Sequence, residues 1–278
     1  MPEFFITLAV AFAIIVALYV FLILPGRKRK FSLPKEKGYA HRGLWNENAP
    51  ENSLAAFKRA VERSYGIETD VHLTRDGVPV IFHDDTLTRM CGDTRKIEEC
   101  TLDELEALRL LGTDENIPLF SELLSLVDGK VPLLIELKGT SASDTRLCDV
   151  IAPMLDAYCG EFVVESFNPM LLGKMKRIRP DIIRGQLVTS LNRRGFPGNK
   201  LRNFALSALL TNCISRPDFI AYDYEYPNGI SLFVVTRIFG AKRCVWTPRN
   251  IEIYRKFMKK GDCPIFDSFD PDAEEKNA

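Results

Sequence analysis

Histidine is scarce in this 278-residue chain: there are three, His41, His72 and His83. Any imidazole-based chemistry must therefore draw on those positions. The seven cysteines are scattered, and no two have the C-x-x-C spacing of a zinc or redox site. An odd, dispersed set reads as reduced thiols in a cytosol-like compartment, most of them acting as small buried hydrophobes. Net charge is also missing. Lys+Arg and Asp+Glu balance at 37 each, so nothing global favours nucleic acid or an acidic partner. Internal repeats and low-complexity tracts are absent, and 46% apolar with 27% charged residues excludes a disordered chain.

One long apolar run is present. Residues 4–24 carry no charge, enough for a helix of about 30 Å, the thickness of a bilayer core. Pro25-Gly26 ends it and Arg27-Lys28-Arg29-Lys30 follows. A cleaved signal peptide would carry positive charge before the run and small residues after it. Met1-Pro2-Glu3 has no side-chain positive charge, and Leu24-Pro25-Gly26-Arg27 is a poor cleavage site, so a retained anchor is the better reading. The basic cluster on the C-terminal side predicts that the rest of the chain is cytoplasmic, and the same cluster suits anionic headgroups.

The remainder alternates short β-rich runs with helical patterns. Strand-like runs lie at 37–41, 67–71, 78–83, 131–137, 162–166, 182–188, 219–222, 243–247 and 264–266. Helix-like stretches lie at 53–64, 102–111, 119–127, 144–158, 169–178, 199–212, 230–239 and 251–260, the first with Leu54, Phe57, Ala60 and Val61 on one stripe behind Asn52 or Ser53 as N-cap. Such alternation over about 250 residues predicts a parallel α/β barrel, a TIM-type (β/α)8 fold. Nine strand candidates exceed eight, and the turn Thr74-Arg75-Asp76-Gly77 predicts that two of them form a hairpin excursion. The expected organisation is a transmembrane anchor at 1–26, a basic linker at 27–37 and a barrel domain at 38–278.

Residues at the C-terminal ends of barrel strands line the active site. His41 and His83 both end apolar runs, and two imidazoles there can act as general acid and base. A hydrogen-bonded histidine at a strand end is the alternative reading of either alone. Glu68 and Asp70 are two apart on a strand and share a face. Paired carboxylates there need a cation or a basic partner, and all-oxygen ligands suit Ca2+ or Mg2+. Glu136 and Lys138 repeat the spacing, Glu136 as a third ligand and Lys138 as a partner for a phosphate oxygen. Outer faces of surface strands are the other reading, but Pro132-Leu-Leu-Ile135 before Glu136 marks a buried strand. Arg42 offers a planar fork suited to phosphate.

These residues carry a resemblance. His41-Arg42-Gly43, Pro50-Glu51-Asn52-Ser53, Glu68-Thr-Asp70 through Asp76-Gly77, and Val80-Ile-Phe-His83-Asp84 resemble the signature of the glycerophosphodiester phosphodiesterase family. Ile117-Pro118, Glu136-Leu-Lys138, Ser166-Phe167, Trp246-Thr247 and Ile265-Phe266-Asp267 follow in that family's order, so the resemblance covers about residues 38–270. Trp246-Thr-Pro248-Arg249-Asn250 departs from the family's Trp-Thr-Val-Asn, and Asp267-Ser268 from its Thr-Asp. Both departures bear on substrate preference.

The resemblance implies a divalent metal, Ca2+ or Mg2+, on Glu68, Asp70 and Glu136. It implies His41 and His83 as the acid–base pair and places Glu51 near the site, with Arg42 and Lys138 at the substrate phosphate by their own chemistry; Trp246 is a candidate wall of the substrate pocket, with a core tryptophan as the equal alternative. His72 carries no firm role. The implied reaction is hydrolysis of glycerophosphodiesters to glycerol 3-phosphate and an alcohol. Lysophospholipase D- or phospholipase C-like action on membrane lipids is the alternative within the superfamily. An inactive membrane-tethered phosphate-binding module is the alternative outside it, disfavoured because both histidines and all three carboxylates are present.

Overall fold

The computed structural model describes residues 2–26, 30–34, 36–141, 143–227 and 229–276. Arg27, Lys28 and Arg29 of the basic cluster lie outside them. Helix α1 spans Pro2–Ile23 and is long and apolar enough to be a candidate transmembrane helix. Nine strands follow: β1 (Tyr39–Ala40), β2 (Gly66–Leu73), β3 (Pro79–Ile81), β4 (Leu133–Leu137), β5 (Phe162–Ser166), β6 (Arg184–Val188), β7 (Phe219–Asp223), β8 (Lys242–Trp246) and β9 (Cys263–Phe266). Eight are parallel. β1 pairs with both β2 and β9, Tyr39 opposite Gly66 and Ile265, which closes the barrel. β3 is antiparallel to β2, with Val71 opposite Ile81. It is the predicted hairpin: Gly77 takes φ +84° and Thr74 Oγ1 accepts from Val78 N at 2.8 Å.

Helices fill the connections: α2 (Leu54–Glu62), α3 (Thr88–Cys91), α4 (Leu102–Glu106), α5 (Phe120–Val127), α6 (Arg146–Ala157), α7 (Pro169–Ile178), α8 (Lys200–Ser207), α9 (Asn212–Ser215), α10 (Gly229–Phe233), α11 (Ile251–Lys259) and α12 (Pro271–Lys276). The N-cap of α2 is Ser53, whose Oγ accepts from Ala56 N at 3.1 Å. Asn52 is left free for another task. Asn168 and Pro169 start α7, and Asn250 starts α11.

Three helical expectations change. The 102–111 stretch stops at Glu106, and Leu111 takes a left-handed φ of 51°. The 199–212 stretch ends at Ser207, because Leu209 turns left-handed (φ 57°), and α9 begins afresh. The 230–239 stretch is α-helical to Phe233 and π-helical over Val234–Ile238.

Alternation sorts the strand residues. Ile67 and Val71 of β2, Leu133 and Ile135 of β4, and Val164 of β5 belong to the shell packed under the helices. Leu134, Val163, Leu187, Phe219 and Ile265 fill the barrel interior with Tyr39. Glu136 follows Leu134 by two residues, and Glu165 follows Val163 by two, so both carboxylates stand one layer above that apolar plug. The plug seals the floor of the barrel, and the charged layer sits at the C-terminal mouth.

Candidate active site at the C-terminal mouth

β2 and β4 are buried along their whole length. Their register sets Asp70 opposite Glu136, and β5 continues the row with Glu165 opposite Glu136. Glu68, Asp70 and Glu136 each bring a carboxylate oxygen within 4.8 Å of the others. Lys138 lies at 3.0 Å from Asp70 Oδ1 and 2.8 Å from Glu136 Oε1. It is thus bound to the carboxylates at the edge of the cleft.

Burial, then repulsion from Asp70 and Glu136, pushes Glu68 well above the usual carboxylate range. Burial likewise raises Glu136, although Lys138 opposes it. Mutual repulsion alone would raise all three, but Asp70 departs from that pattern. Burial works against its ionisation, yet Lys138, His83, Arg42 and a hydrogen bond from Asn52 hold it well below the ordinary value. The Asn52 amide donates to Asp70 Oδ2 at 2.9 Å and accepts from Thr69 Oγ1 at 3.0 Å. It reaches both because Asn52 sits in the left-handed region at φ 57°, where asparagine is tolerated.

Arg42 is left-handed too, at φ 59°. Its backbone N–H donates to Glu68 Oε2 at 2.9 Å, while its guanidinium donates to Glu51 at 2.6 Å and lies 3.7 Å from Asp70. The following Gly43 (φ 82°) has no room for a Cβ, which would come within 2.9 Å of the α2 backbone at Ala56. Glu51 is shared with Arg89, which also grips Asp84 through Nε at 2.7 Å.

Each of the two rim histidines has a carboxylate beside Nδ1. Asp84 lies at 2.6 Å from His83. Asp267 lies at 3.6 Å from His41, whose Nε2 is 4.0 Å from Glu68. Asp267 is itself held by Trp45 Nε1 at 2.9 Å. Burial, then the neighbouring Arg42, lower His41 from its ordinary value, and Asp267 opposes them. His72 is fully inside, 3.5 Å from the His83 carbonyl, and burial lowers it to about 4, consistent with a structural part. Trp246, at the end of β8, donates to the Ala221 carbonyl at 3.1 Å and stacks edge-on against Phe167.

A cleft of about 900 Å3 opens over this layer. His83, Glu136 and Lys138 are its charged or titratable lining nearest the carboxylates, and Phe167, Met170, Leu187, Leu191, Phe196 and Leu206 supply apolar lining. Asn52, Arg89 and Glu165 escaped the sequence reading. Only Glu165 left a usable signal there, because Val163-Val164-Glu165-Ser166 repeats the apolar-run-then-Glu pattern of Glu136.

The donor set fits a divalent cation. Glu68, Asp70, Glu136 and Glu165 are buried side by side, and Glu165 Oε2 has no hydrogen-bond partner among the described residues. His41, Arg42 and Lys138 are the basic groups within 4.0 Å of these carboxylates among the described residues. A hard cation taking oxygen ligands would relieve the surplus negative charge.

The fold and the site together define a (β/α)8-barrel protein with an acidic, base-flanked centre at its C-terminal face. A sequence model of the Glycerophosphoryl diester phosphodiesterase family matches residues 41–270, and the chain belongs to that family. It is 34% identical over 160 residues to a glycerophosphodiester phosphodiesterase of Caldanaerobacter subterraneus subsp. tengcongensis, covering 53% of this chain and 65% of that relative. It is 29% identical over 154 residues to human glycerophosphodiester phosphodiesterase 1, covering 52% of this chain and 46% of the relative. Both matches span less than two thirds of the relative's length. An Oleispira antarctica phosphodiesterase, solved in complex with the product sn-glycerol-3-phosphate, superposes with a TM-score of 0.71 at 24% identity, over 87% of this chain and 96% of the other. At that identity the likeness speaks for the fold.

Proposed function

We propose that the chain hydrolyses glycerophosphodiesters to glycerol 3-phosphate and an alcohol, using a Ca2+ or Mg2+ ion held by Glu68, Asp70 and Glu136. The observation that carries this reading is the convergence of those three buried carboxylates within 4.8 Å beneath an open cleft. When bound, such an ion supplies positive charge to the phosphate oxygens as negative charge grows on them. Arg42 and Lys138 add fixed positive charge beside the same centre. His41 and His83 divide the proton work: one takes the proton of the attacking oxygen, the other gives one to the departing alkoxide. Asp267 and Asp84 orient the two rings and favour the imidazolium that forms in each turn of the cycle. Glu51 and Arg89 hold Arg42 in place, and Trp246 backs the cleft residue Phe167.

The testing experiment follows glycerol 3-phosphate release from glycerophosphocholine, glycerophosphoethanolamine and glycerophosphoglycerol, with added Ca2+ or Mg2+ and after chelation. Metal-dependent release supports the reading. Binding of diesters without turnover under any divalent ion would mark a phosphate-binding module instead.

We also propose that α1 crosses a membrane with the barrel on the cytoplasmic side. The support is the uncharged run over residues 4–24, most of it in α1, followed by Arg27-Lys28-Arg29-Lys30. An alkaline phosphatase fusion at the C-terminus should be inactive, because that enzyme needs export to form its disulfides; an active fusion reverses the topology.

A further inference from the structure

The catalytic mouth and the free part of α1 lie on the same side of the barrel. Gly26 N donates to the Pro217 carbonyl at 2.8 Å, just before β7 begins. Arg216 donates to the carbonyls of Phe21 and Leu24 at 2.8 and 2.9 Å, and Asn212 to that of Ile23 at 3.0 Å. Further back, the Tyr19 hydroxyl meets Ser231 Oγ at 2.8 Å, on α10, the helix that follows β7. From Tyr19 to Gly26 the chain therefore descends from the C-terminal face to the N-terminal face, antiparallel to β7. Residues 2–18, all exposed, continue past the C-terminal face for about 25 Å, close to the span of a bilayer core. Tyr19 falls at the level where aromatic residues sit in a membrane interface.

Two segments flank the point where α1 leaves the barrel: the connection after β6 that carries α8, and α10. Both carry large exposed apolar side chains. Leu201 is 75% exposed, Phe204 56%, Phe196 52%, Ile230 76% and Phe233 60%. Single exposed hydrophobics are ordinary, but five on two adjacent segments at one rim are not. Asp223 and Glu225 precede α10, and Asp223 pairs with Arg194 at 2.9 Å, but the segment after β6 carries charge of one sign. No acidic residue occurs between Asp181 and Asp218, whereas Arg193, Arg194, Lys200 and Arg202 lie within this stretch. Apolar side chains interleaved with cations and lacking acids suit an anionic lipid surface.

We propose that residues 192–204, with the start of α10, form an interfacial element that seats the C-terminal face of the barrel on the leaflet crossed by α1. The occupant of this surface is the anionic bilayer itself, and the catalytic cleft opens toward the headgroup layer. Phe196 lies on both the rim and the cleft wall, so the apolar border runs continuously from lipid to site. This inference rests on α1 lying in a membrane, and its test separates the two.

The full chain is reconstituted in nanodiscs of phosphatidylcholine and phosphatidylglycerol with brominated acyl chains, and tryptophan fluorescence is compared with that of the parent chain. Leu201→Trp reports docking, Phe12→Trp reports insertion of α1, and Lys130→Trp, at the N-terminal face, is the control. Leu201 and Lys130 are exposed, so neither change disturbs packing. The expected result is quenching of the added fluorescence by roughly twofold or more for Leu201→Trp and Phe12→Trp, as for an indole at the acyl boundary, with none for Lys130→Trp. Quenching of Phe12→Trp without Leu201→Trp overturns the docking and leaves the anchor standing. Quenching of neither overturns both, and quenching of Lys130→Trp as strong as that of Leu201→Trp overturns the assigned face.

Discussion

The two halves of the barrel mouth are built from different material. On the side of β2, β4 and β5, the inward positions are Glu68, Asp70, Glu136 and Glu165, with Lys138 just beyond β4. On the side of β6, β7 and β8, the inward positions include Leu187, Ala221 and Trp246, and the connection after β6 is apolar and basic. The second half is not free of charge, but it keeps its charge paired: Asp223 accepts from Thr189 at 2.8 Å and Arg194 at 2.9 Å, and its other oxygen accepts from Glu225 N at 2.9 Å. One half gathers buried carboxylates of a kind that suits a cation, and the other offers a largely apolar wall. On the proposed function, chemistry and substrate shape fall to separate strands. A change in one half should alter kcat, and a change in the other KM or stability.

The largest effect tests the charged half. Glu136→Ala should abolish both turnover and divalent-metal affinity, read by calorimetry and by glycerol 3-phosphate release, while Lys138 keeps Asp70 as a partner and the fold survives. Retained metal binding would move the metal centre elsewhere. Next come His41→Ala and His83→Ala. Each should lower kcat by about 10²–10⁴-fold, the usual contribution of an acid–base group, with metal affinity kept. His72→Ala is the control and should cost much less turnover. Near-normal kcat in both His41 and His83 variants would remove the acid–base assignment and leave only the electrostatic half of the mechanism.

That contrast also governs what the sequence could tell. The charged half was readable because its groups sit on strands, where spacing of two fixes a common face: Glu68 with Asp70, and Glu136 with Lys138. The β2–β3 hairpin was readable because Asp76-Gly77 dictates a turn. Asn52 was not, since its role depends on a left-handed φ and on Ser53 taking the cap. Arg89 was not, since it reaches Glu51 across 38 positions from a four-residue helix that no periodicity announces. In the second half, much of the cleft lining sits in connections whose breaks, such as the left-handed Leu209, interrupt what the pattern presents as one helix. The packing of Ile23 and Tyr19 against the β7 flank was equally hidden, because an apolar helix end carries no mark of its partner.

A stability test addresses the neutral half. Gly185 on β6 lies against the Phe219 ring, and a Cβ there would overlap it. Gly185→Ala should destabilise the barrel by about 1–3 kcal/mol, the cost of overpacking a filled core, seen as a lower midpoint in urea. Turnover of the folded fraction should hold. A matching fall in kcat would mean that the plug positions the carboxylates directly, and that the two halves are not separable.

The smallest expected effect concerns Trp246, where the neutral wall comes nearest to polar chemistry. Its indole N–H bonds the Ala221 carbonyl at 3.1 Å, and its ring lies 5.2 Å from the Arg194 guanidinium and 5.8 Å from Phe167. Trp246→Phe keeps an aromatic surface but removes one donor and weakens the cation–π contact, together about 1–2 kcal/mol. Arg194 stays in place through Asp223, so the loop after β6 should hold its shape. If the wall serves only to shape the pocket, the loss appears as a rise in KM of up to about thirtyfold at unchanged kcat, the pattern of binding shared equally by ground and transition states. A fall in kcat with KM unchanged would place Trp246 among the groups that act only in the transition state, and the division of labour between the two halves would fail at β8.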